Sequence, residues 1–80
     1  MAKKEKVVVY TAEWCPWCHR AMDFLKENGI EFEARDVDEP KYAQEAIEVS
    51  GQNGIPVIVI GNEVVVGFDQ MRLRELLHLK

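Results

Sequence analysis

The stretch VVVYTAEWCPWC, residues 7–18, runs from an apolar segment directly into a helix-patterned one. It holds the only two cysteines of the chain, Cys15 and Cys18. Their spacing places both sulfurs on one face of a helix, one turn apart, close enough to bond reversibly. A disulfide there would close so short a loop that it adds little chain-entropy stabilisation. The pair therefore indicates redox chemistry rather than a structural crosslink.

Hydrophobic patterning around this stretch predicts four strands and three helices. Apolar runs and alternation mark the strands, whereas apolar residues at i, i+3, i+4 and i+7 mark the helices. The predicted elements are a strand at 6–10, a helix from Pro16 to Gly29, a strand at 30–34, a helix from Asp38 to about Gly51, strands at 57–60 and 64–66, and a helix capped by Asp69.

Two of these elements carry specific burial predictions. Ile30, Phe32 and Ala34 alternate with charged residues, which predicts a half-buried strand. In the second helix, Ala46 and Ile47 are expected to face the core.

The connections predict the topology. The first two strands are joined through a helix, so they should be parallel with a right-handed crossover. Gly61-Asn62 is a two-residue turn that makes the last two strands an antiparallel hairpin. The expected fold is α/β, a mixed four-stranded sheet flanked by three helices in the order βαβαββα, which is the minimal thioredoxin-like arrangement.

Size and composition limit the classes of protein to consider. Eighty residues suffice for one domain, 1–80. The net charge is −4 and the basic residues are mostly scattered, which gives little support to nucleic-acid binding. No apolar run reaches the length of a signal-peptide core or a membrane span, and two cysteines do not make a secreted disulfide scaffold. We therefore expect a cytoplasmic monomer that binds neither nucleic acid nor membranes.

Several motifs together resemble the glutaredoxin family. In chain order they are Tyr10-Thr11, Cys15-Pro16-Trp17-Cys18-His19-Arg20-Ala21, Ser50-Gly51, Ile55-Pro56 and Gly67-Phe68-Asp69. The resemblance covers nearly all the chain from Val7 onward. It implies a thiol–disulfide oxidoreductase on a thioredoxin-like fold, acting in electron transport and cell redox homeostasis through a redox-active disulfide.

The resemblance also implies roles for individual residues. Cys15 would attack the substrate disulfide and Cys18 would resolve the mixed disulfide. Pro56 matches the cis-proline of the family, and Ile55 matches the residue whose backbone pairs with the substrate. Two further residues, Phe68 and Asp69, match positions that touch the γ-glutamyl end of glutathione.

Two positions depart from glutaredoxins that use glutathione, and one dipeptide is similar to another group of redoxins. Ala12 and Gln52 stand where those proteins usually carry cations for the carboxylates of the tripeptide. Gly67-Phe68 is similar to the redoxins that serve ribonucleotide reductase and are reduced by thioredoxin reductase. The resemblance therefore implies protein or small-molecule disulfides as substrates, and either thioredoxin reductase or glutathione as the reductant.

The residues beside the cysteines suggest supporting roles. Pro16 presets the backbone of the first helical turn. Trp17 is expected to be an exposed docking residue for a protein disulfide, whereas docking and core packing both remain open for Trp14. Arg20 either adds positive potential near Cys15 or lies on a solvated face.

Two other classes of function compete with this one. We expect no bound cofactor, because a zinc site would need two further ligands that the sequence does not supply at matching spacing. An iron–sulfur cluster bridged by Cys15 of two subunits, with glutathione as co-ligand, remains an alternative. A non-catalytic peptide-binding module on the same fold is the other.

Overall fold

The computed structural model describes residues 6–79 and contains the predicted order of elements, βαβαββα. The strands are β1 (Val7–Thr11), β2 (Glu33–Asp36), β3 (Val57–Ile60) and β4 (Glu63–Val66). The helices are α1 (Pro16–Glu27), α2 (Pro40–Ser50) and α3 (Gln70–Leu76). Residues 1–5 and 80 of the predicted domain lie outside the described residues.

The strands form one mixed sheet in the order β2-β1-β3-β4. β1 runs parallel to β2, with Val8 beside Glu33, and antiparallel to β3, with Tyr10 opposite Val57. β3 and β4 form the predicted antiparallel hairpin, which turns at residues 61–62. The predicted fold class is confirmed. Because β1 is a central strand, the cysteines that follow it lie at the middle of one end of the sheet.

Alternation along β1 divides the core between the two faces of the sheet. Val7 and Val9 face the layer built by α1 and α3. The buried helical residues of that layer are Ala21, Phe24, Leu25 and Leu73. Val8 and Tyr10 face the opposite layer, where Ala46 of α2 packs. The sheet is therefore covered on both faces, and burial of these side chains is the main favourable term in folding.

A polar cluster fastens α2 to β1 and β2. The Tyr10 hydroxyl donates to Glu45 Oε1 at 3.1 Å, and Arg35 Nη1 donates to the same carboxylate oxygen at 2.8 Å. Arg35 also donates to the Tyr10 hydroxyl oxygen at 3.2 Å. Burial, as the largest effect, raises the pKa of the Tyr10 phenol. The cluster fixes α2 on the sheet and so fixes where the chain leaves α2.

Two predictions about the elements are wrong in detail. The second strand begins at Glu33 rather than at residue 30, because pairing with β1 starts at that residue, and Ala34 is exposed. Ile30 and Phe32 still pack against the core, but from the loop before β2. Ile47 is 42% exposed instead of facing the core, because only a narrow stripe of α2 around Ala46 is buried.

No helix within residues 6–79 is both long enough and apolar enough to span a membrane.

Candidate active site

The cysteine segment, residues 11–18, leads from the end of β1 into the first turn of α1. The Cys15 N–H donates to the Ala12 carbonyl at 3.1 Å, which closes a tight turn. Cys15 is the N-cap of α1 in an extended conformation, and Pro16 occupies the first helical turn as predicted. The main chain alone thus places the Cys15 sulfur at the amino end of α1.

The Cys15 sulfur receives a hydrogen bond from the helix that it caps. The Cys18 backbone N–H donates to Cys15 Sγ at 3.2 Å. A backbone N–H and the positive end of the helix both favour a negative charge on this sulfur. The arrangement suits a thiolate nucleophile.

The two thiols differ in their surroundings. Cys18 is fully buried, and burial followed by the hydrogen bond with Cys15 raises the pKa of the Cys18 thiol to about 12. Cys15 is 5% exposed. Both cysteines are free thiols in this structure. Only Cys15 has any surface to offer an incoming disulfide.

Thr11, the last residue of β1, brings a buried hydroxyl to this pair. Its Oγ1 is the only buried side-chain nitrogen or oxygen in residues 6–79 without a hydrogen-bond partner. Burial dominates the pKa of Cys18, but the Thr11 hydroxyl acts in the opposite direction and lowers it. The Thr11 hydroxyl therefore acts on the Cys18 thiol without making a hydrogen bond of ordinary geometry.

The second part of the site is the proline segment, residues 50–56. The Ile55-Pro56 peptide bond is cis, as predicted. Ile55 packs with Val37 against the cluster of Ala12 and the two cysteines. Neither the N–H nor the C=O of Ile55 has a hydrogen-bond partner among the described residues. The unpaired backbone groups therefore belong to a residue that packs on the cysteine cluster.

The tryptophans beside the cysteines are both exposed, Trp14 at 67% and Trp17 at 57%. The Arg20 guanidinium lies 5.0 Å above the Trp17 ring, a cation–π contact that orients the ring. Trp14 Nε1 approaches Asp38 Oδ1 at 3.4 Å. His19 lies at the surface, where its Nε2 donates to the Glu13 carbonyl at 2.8 Å. Exposed aromatic area of this kind is typical of a docking surface.

Phe68 and Asp69 lie in the loop between β4 and α3. The Phe68 ring is half-buried and packs edge-to-face on Phe24 with ring centroids 5.6 Å apart. Asp69 Oδ1 accepts from the Arg72 N–H at 3.1 Å and so caps α3 as predicted. The Gly67 N–H donates to the Pro56 carbonyl at 2.8 Å, which joins this loop to the proline segment.

Three residues near the site were not assigned a role from the sequence. Val37 packs on the cysteine cluster and donates its N–H to the Thr11 carbonyl at 2.9 Å. Thr11 was assigned to a loop, although the apolar run before it could have been extended by one residue. Gln52 was considered only as a missing cation, whereas its side chain is bonded within the proline segment.

No group of three or more His, Cys, Asp or Glu side chains within residues 6–79 could hold a metal ion.

Comparison with known proteins identifies similar chains. The family model described as Glutaredoxin matches residues 7–65. A glutaredoxin from Pseudomonas aeruginosa is 36% identical over 70 residues, which cover 86% of this chain and 83% of that protein.

Solved structures give the same result. A glutaredoxin from Archaeoglobus fulgidus superposes with a TM-score of 0.83 at 32% identity, over 90% of this chain and 85% of the other. The glutaredoxin-like NrdH-redoxin from Escherichia coli superposes with a TM-score of 0.73 at 30% identity, over 86% of this chain and 92% of the other.

Proposed function

Because this chain belongs to the glutaredoxin family of thiol–disulfide oxidoreductases, we propose that it reduces protein disulfides through Cys15 and Cys18, with electrons from a thioredoxin reductase in preference to glutathione. The observation that carries the proposal is the hydrogen bond from the Cys18 N–H to Cys15 Sγ at 3.2 Å. It selects Cys15 as the sulfur on which negative charge is stabilised, while Cys18 stays protonated and buried.

The reaction begins at Cys15. Its thiolate attacks one sulfur of the substrate, the substrate S–S bond breaks, and the departing thiolate takes a proton from water. The product is a mixed disulfide between Cys15 and the substrate. Cys18 then gives its proton to water and its thiolate attacks Cys15 Sγ. The bond between Cys15 and the substrate sulfur breaks, and the departing substrate thiolate takes a proton from water. Two electrons pass to the substrate, and the protein is left with a Cys15–Cys18 disulfide for the reductant to reduce.

A protein substrate is favoured by the surface around Cys15. The unpaired backbone of Ile55 beside the sulfur can accept and donate hydrogen bonds to an extended chain. Pro56 holds that backbone in place, and the exposed Trp17 ring offers apolar area next to the bond that is cleaved. A small disulfide would use the sulfur but neither of these contacts.

Glutathione is a poorer fit as the reductant. Ala12 is buried against the cysteines and offers no polar group, and the Gln52 side chain is already bonded within its own loop. Phe68 and Asp69 are the remaining contacts for the γ-glutamyl end. Loss of two charge-assisted contacts predicts at least tenfold weaker handling of glutathione. The similar Escherichia coli NrdH-redoxin is described as having a thioredoxin-like activity profile, which agrees with this preference.

A coupled NADPH-oxidation assay tests the preference. Reduction of an insulin disulfide by this protein is measured with thioredoxin reductase from the same organism, and again with glutathione and glutathione reductase. We expect turnover with thioredoxin reductase to be at least tenfold faster. Turnover with glutathione as fast as that of an ordinary glutaredoxin would refute the preference but not the thiol–disulfide activity.

The cluster-bridging dimer is the second candidate, because Cys15 is the cysteine with exposed surface at the amino end of α1 and thiolates ligate iron. Iron content and visible absorbance of protein purified without oxygen decide between the two, together with the oligomeric state. Absence of iron in a monomer would support the redox function. The non-catalytic module is disfavoured by the family assignment and by the presence of both cysteines. The cytoplasmic location stays a prediction.

A further inference from the structure

The backbone of the proline segment makes almost no hydrogen bonds with other backbone groups. The Gly51 N–H closes α2 on the Ile47 carbonyl, and the Pro56 carbonyl accepts from Gly67. Within the described part of the chain, no backbone N–H or C=O of residues 52–55 makes a hydrogen bond with another backbone group. A loop of this kind needs other partners to stay in one conformation.

The Gln52 side chain supplies those partners. Its Nε2 donates to the Gly54 carbonyl at 3.0 Å, and its Oε1 accepts from the Gly54 N–H at 2.6 Å. The same Nε2 donates to Ser50 Oγ at 3.1 Å, and Ser50 Oγ lies 2.5 Å from the Ala46 carbonyl inside α2. The amide therefore connects the last turn of α2 to the residue directly before Ile55.

Gly54 is fitted closely to this arrangement. A Cβ atom at position 54 would lie 2.7 Å from Gln52 Oε1, nearer than such atoms approach in proteins. The contact is with the bonded end of the Gln52 side chain, so a larger residue at 54 would push the amide away from both of its backbone partners.

We propose that Gln52 is a positioning residue that holds the Ile55 backbone ready for an extended, disulfide-bearing peptide. The inference rests on the proposed function, because the position of Ile55 matters only if its backbone binds substrate. With the amide in place, the loop is ordered before the peptide arrives. Without it, binding must also order residues 52–55, which weakens binding of the peptide while leaving the sulfur chemistry intact.

Two matched probes test the proposal on the reduced, full-length protein. One is a short peptide whose cysteine carries a thionitrobenzoate group, and the other is 2-mercaptoethanol carrying the same group. Both release the same coloured thiolate when Cys15 attacks, but only the peptide has a backbone to pair with Ile55. Single-turnover rates give the half-saturating concentration and the maximal rate for the peptide, and a second-order rate constant for the small probe.

For Gln52→Met, which keeps the length of the side chain and removes its polar atoms, we expect the half-saturating peptide concentration to rise about fivefold to tenfold. The maximal rate should stay within twofold. Gln52→Glu keeps an acceptor for the Gly54 N–H and loses the donors, so it should give an intermediate value. Asn53→Ala is the control, since Asn53 is exposed and makes no side-chain hydrogen bond in the described structure.

Gly54→Ala tests whether the weaker peptide binding arises from the contact between Gln52 and Gly54. It should raise the half-saturating concentration like Gln52→Met, and the double variant should be no worse than either single one, because both remove the same contact. Unchanged peptide saturation in Gln52→Met, or equal slowing of both probes, would overturn the positioning role. If the unmodified protein attacks neither probe, the proposed function fails instead.

Discussion

The two parts of the active site, the cysteine segment and the proline segment, are held in place by different means. The cysteine segment is secured by the main chain, through the Cys15-to-Ala12 turn and the N–H groups of α1. The proline segment is secured by side chains, namely the Ser50 hydroxyl and the Gln52 amide. Main-chain contacts survive most substitutions, whereas side-chain contacts do not. The difference implies that the thiol chemistry is robust and that substrate binding is the adjustable part of this protein.

The largest expected effect concerns the two sulfurs of the cysteine segment. Cys15→Ser should abolish disulfide reduction, because no other thiol has surface available for attack. Cys18→Ser should still attack but accumulate a mixed disulfide, since the resolving thiol is gone. Mass spectrometry of the protein after incubation with a peptide disulfide distinguishes the two. Accumulation of the adduct in Cys15→Ser would reverse the assignment of roles.

Thr11→Val tests whether the cysteine segment also depends on one side chain. Valine keeps the shape of threonine and removes the hydroxyl that lowers the pKa of Cys18, so the pKa of that thiol should rise further. We expect the resolving step to slow about fivefold to tenfold near neutral pH, and its pH profile to move to higher pH.

Thr11→Ser is the matched control, because it retains the hydroxyl. Stopped-flow measurement separates attack by Cys15 from resolution by Cys18. Equal slowing of both steps in Thr11→Val would show a structural disturbance rather than an effect on the buried thiol.

The stability of the reduced protein should fall in alkaline solution. The folded-state pKa of Cys18 is raised from 9.0 to about 12, so the unfolded chain loses this proton first as the pH rises. The stabilisation is complete below about pH 9 and is lost between pH 9 and 12, by about 1 kcal/mol per pH unit. Urea unfolding at pH 8 and pH 10 measures it, with Cys18→Ala as the comparison. A slope equal to that of Cys18→Ala would contradict the assignment.

The smallest effect is expected from Ser50→Ala in the proline segment. It removes the hydroxyl that links Gln52 to α2 but leaves the bonds between Gln52 and Gly54. The half-saturating concentration of a peptide disulfide should rise about threefold, less than the effect expected for Gln52→Met. An effect larger than that of Gln52→Met would show that the Ser50 hydroxyl, and not the Gln52 amide, holds the loop in position.

The difference between local main-chain contacts and contacts made by distant or side-chain groups also explains how much the sequence alone could predict. The start of α1 at Pro16, the hairpin at 61–62 and the cap at Asp69 follow from local chemistry and are confirmed. The cis-proline followed from the family resemblance, since proline statistics alone favour trans. The start of β2 was misplaced because the register with β1 is a long-range property.

The polar details of the site were the hardest to predict. The influence of the Thr11 hydroxyl on the Cys18 thiol depends on how the end of β1 packs against α1. The hydrogen bonds of the Gln52 side chain require one particular loop conformation, which the sequence of residues 50–56 does not predict. Both depend on where backbone groups end up after folding, which propensity and periodicity do not encode.

Gly54 also determines how substitutions at two positions combine. While Gln52 is present, a Cβ at position 54 meets its side-chain oxygen at 2.7 Å, and because that oxygen ends a flexible side chain, the amide moves rather than the backbone. A larger residue at position 54 therefore costs the bonds to Gln52 without preventing the fold. A chain that carries another residue at position 52 has no such bonds to lose, so the same change at position 54 should be neutral there.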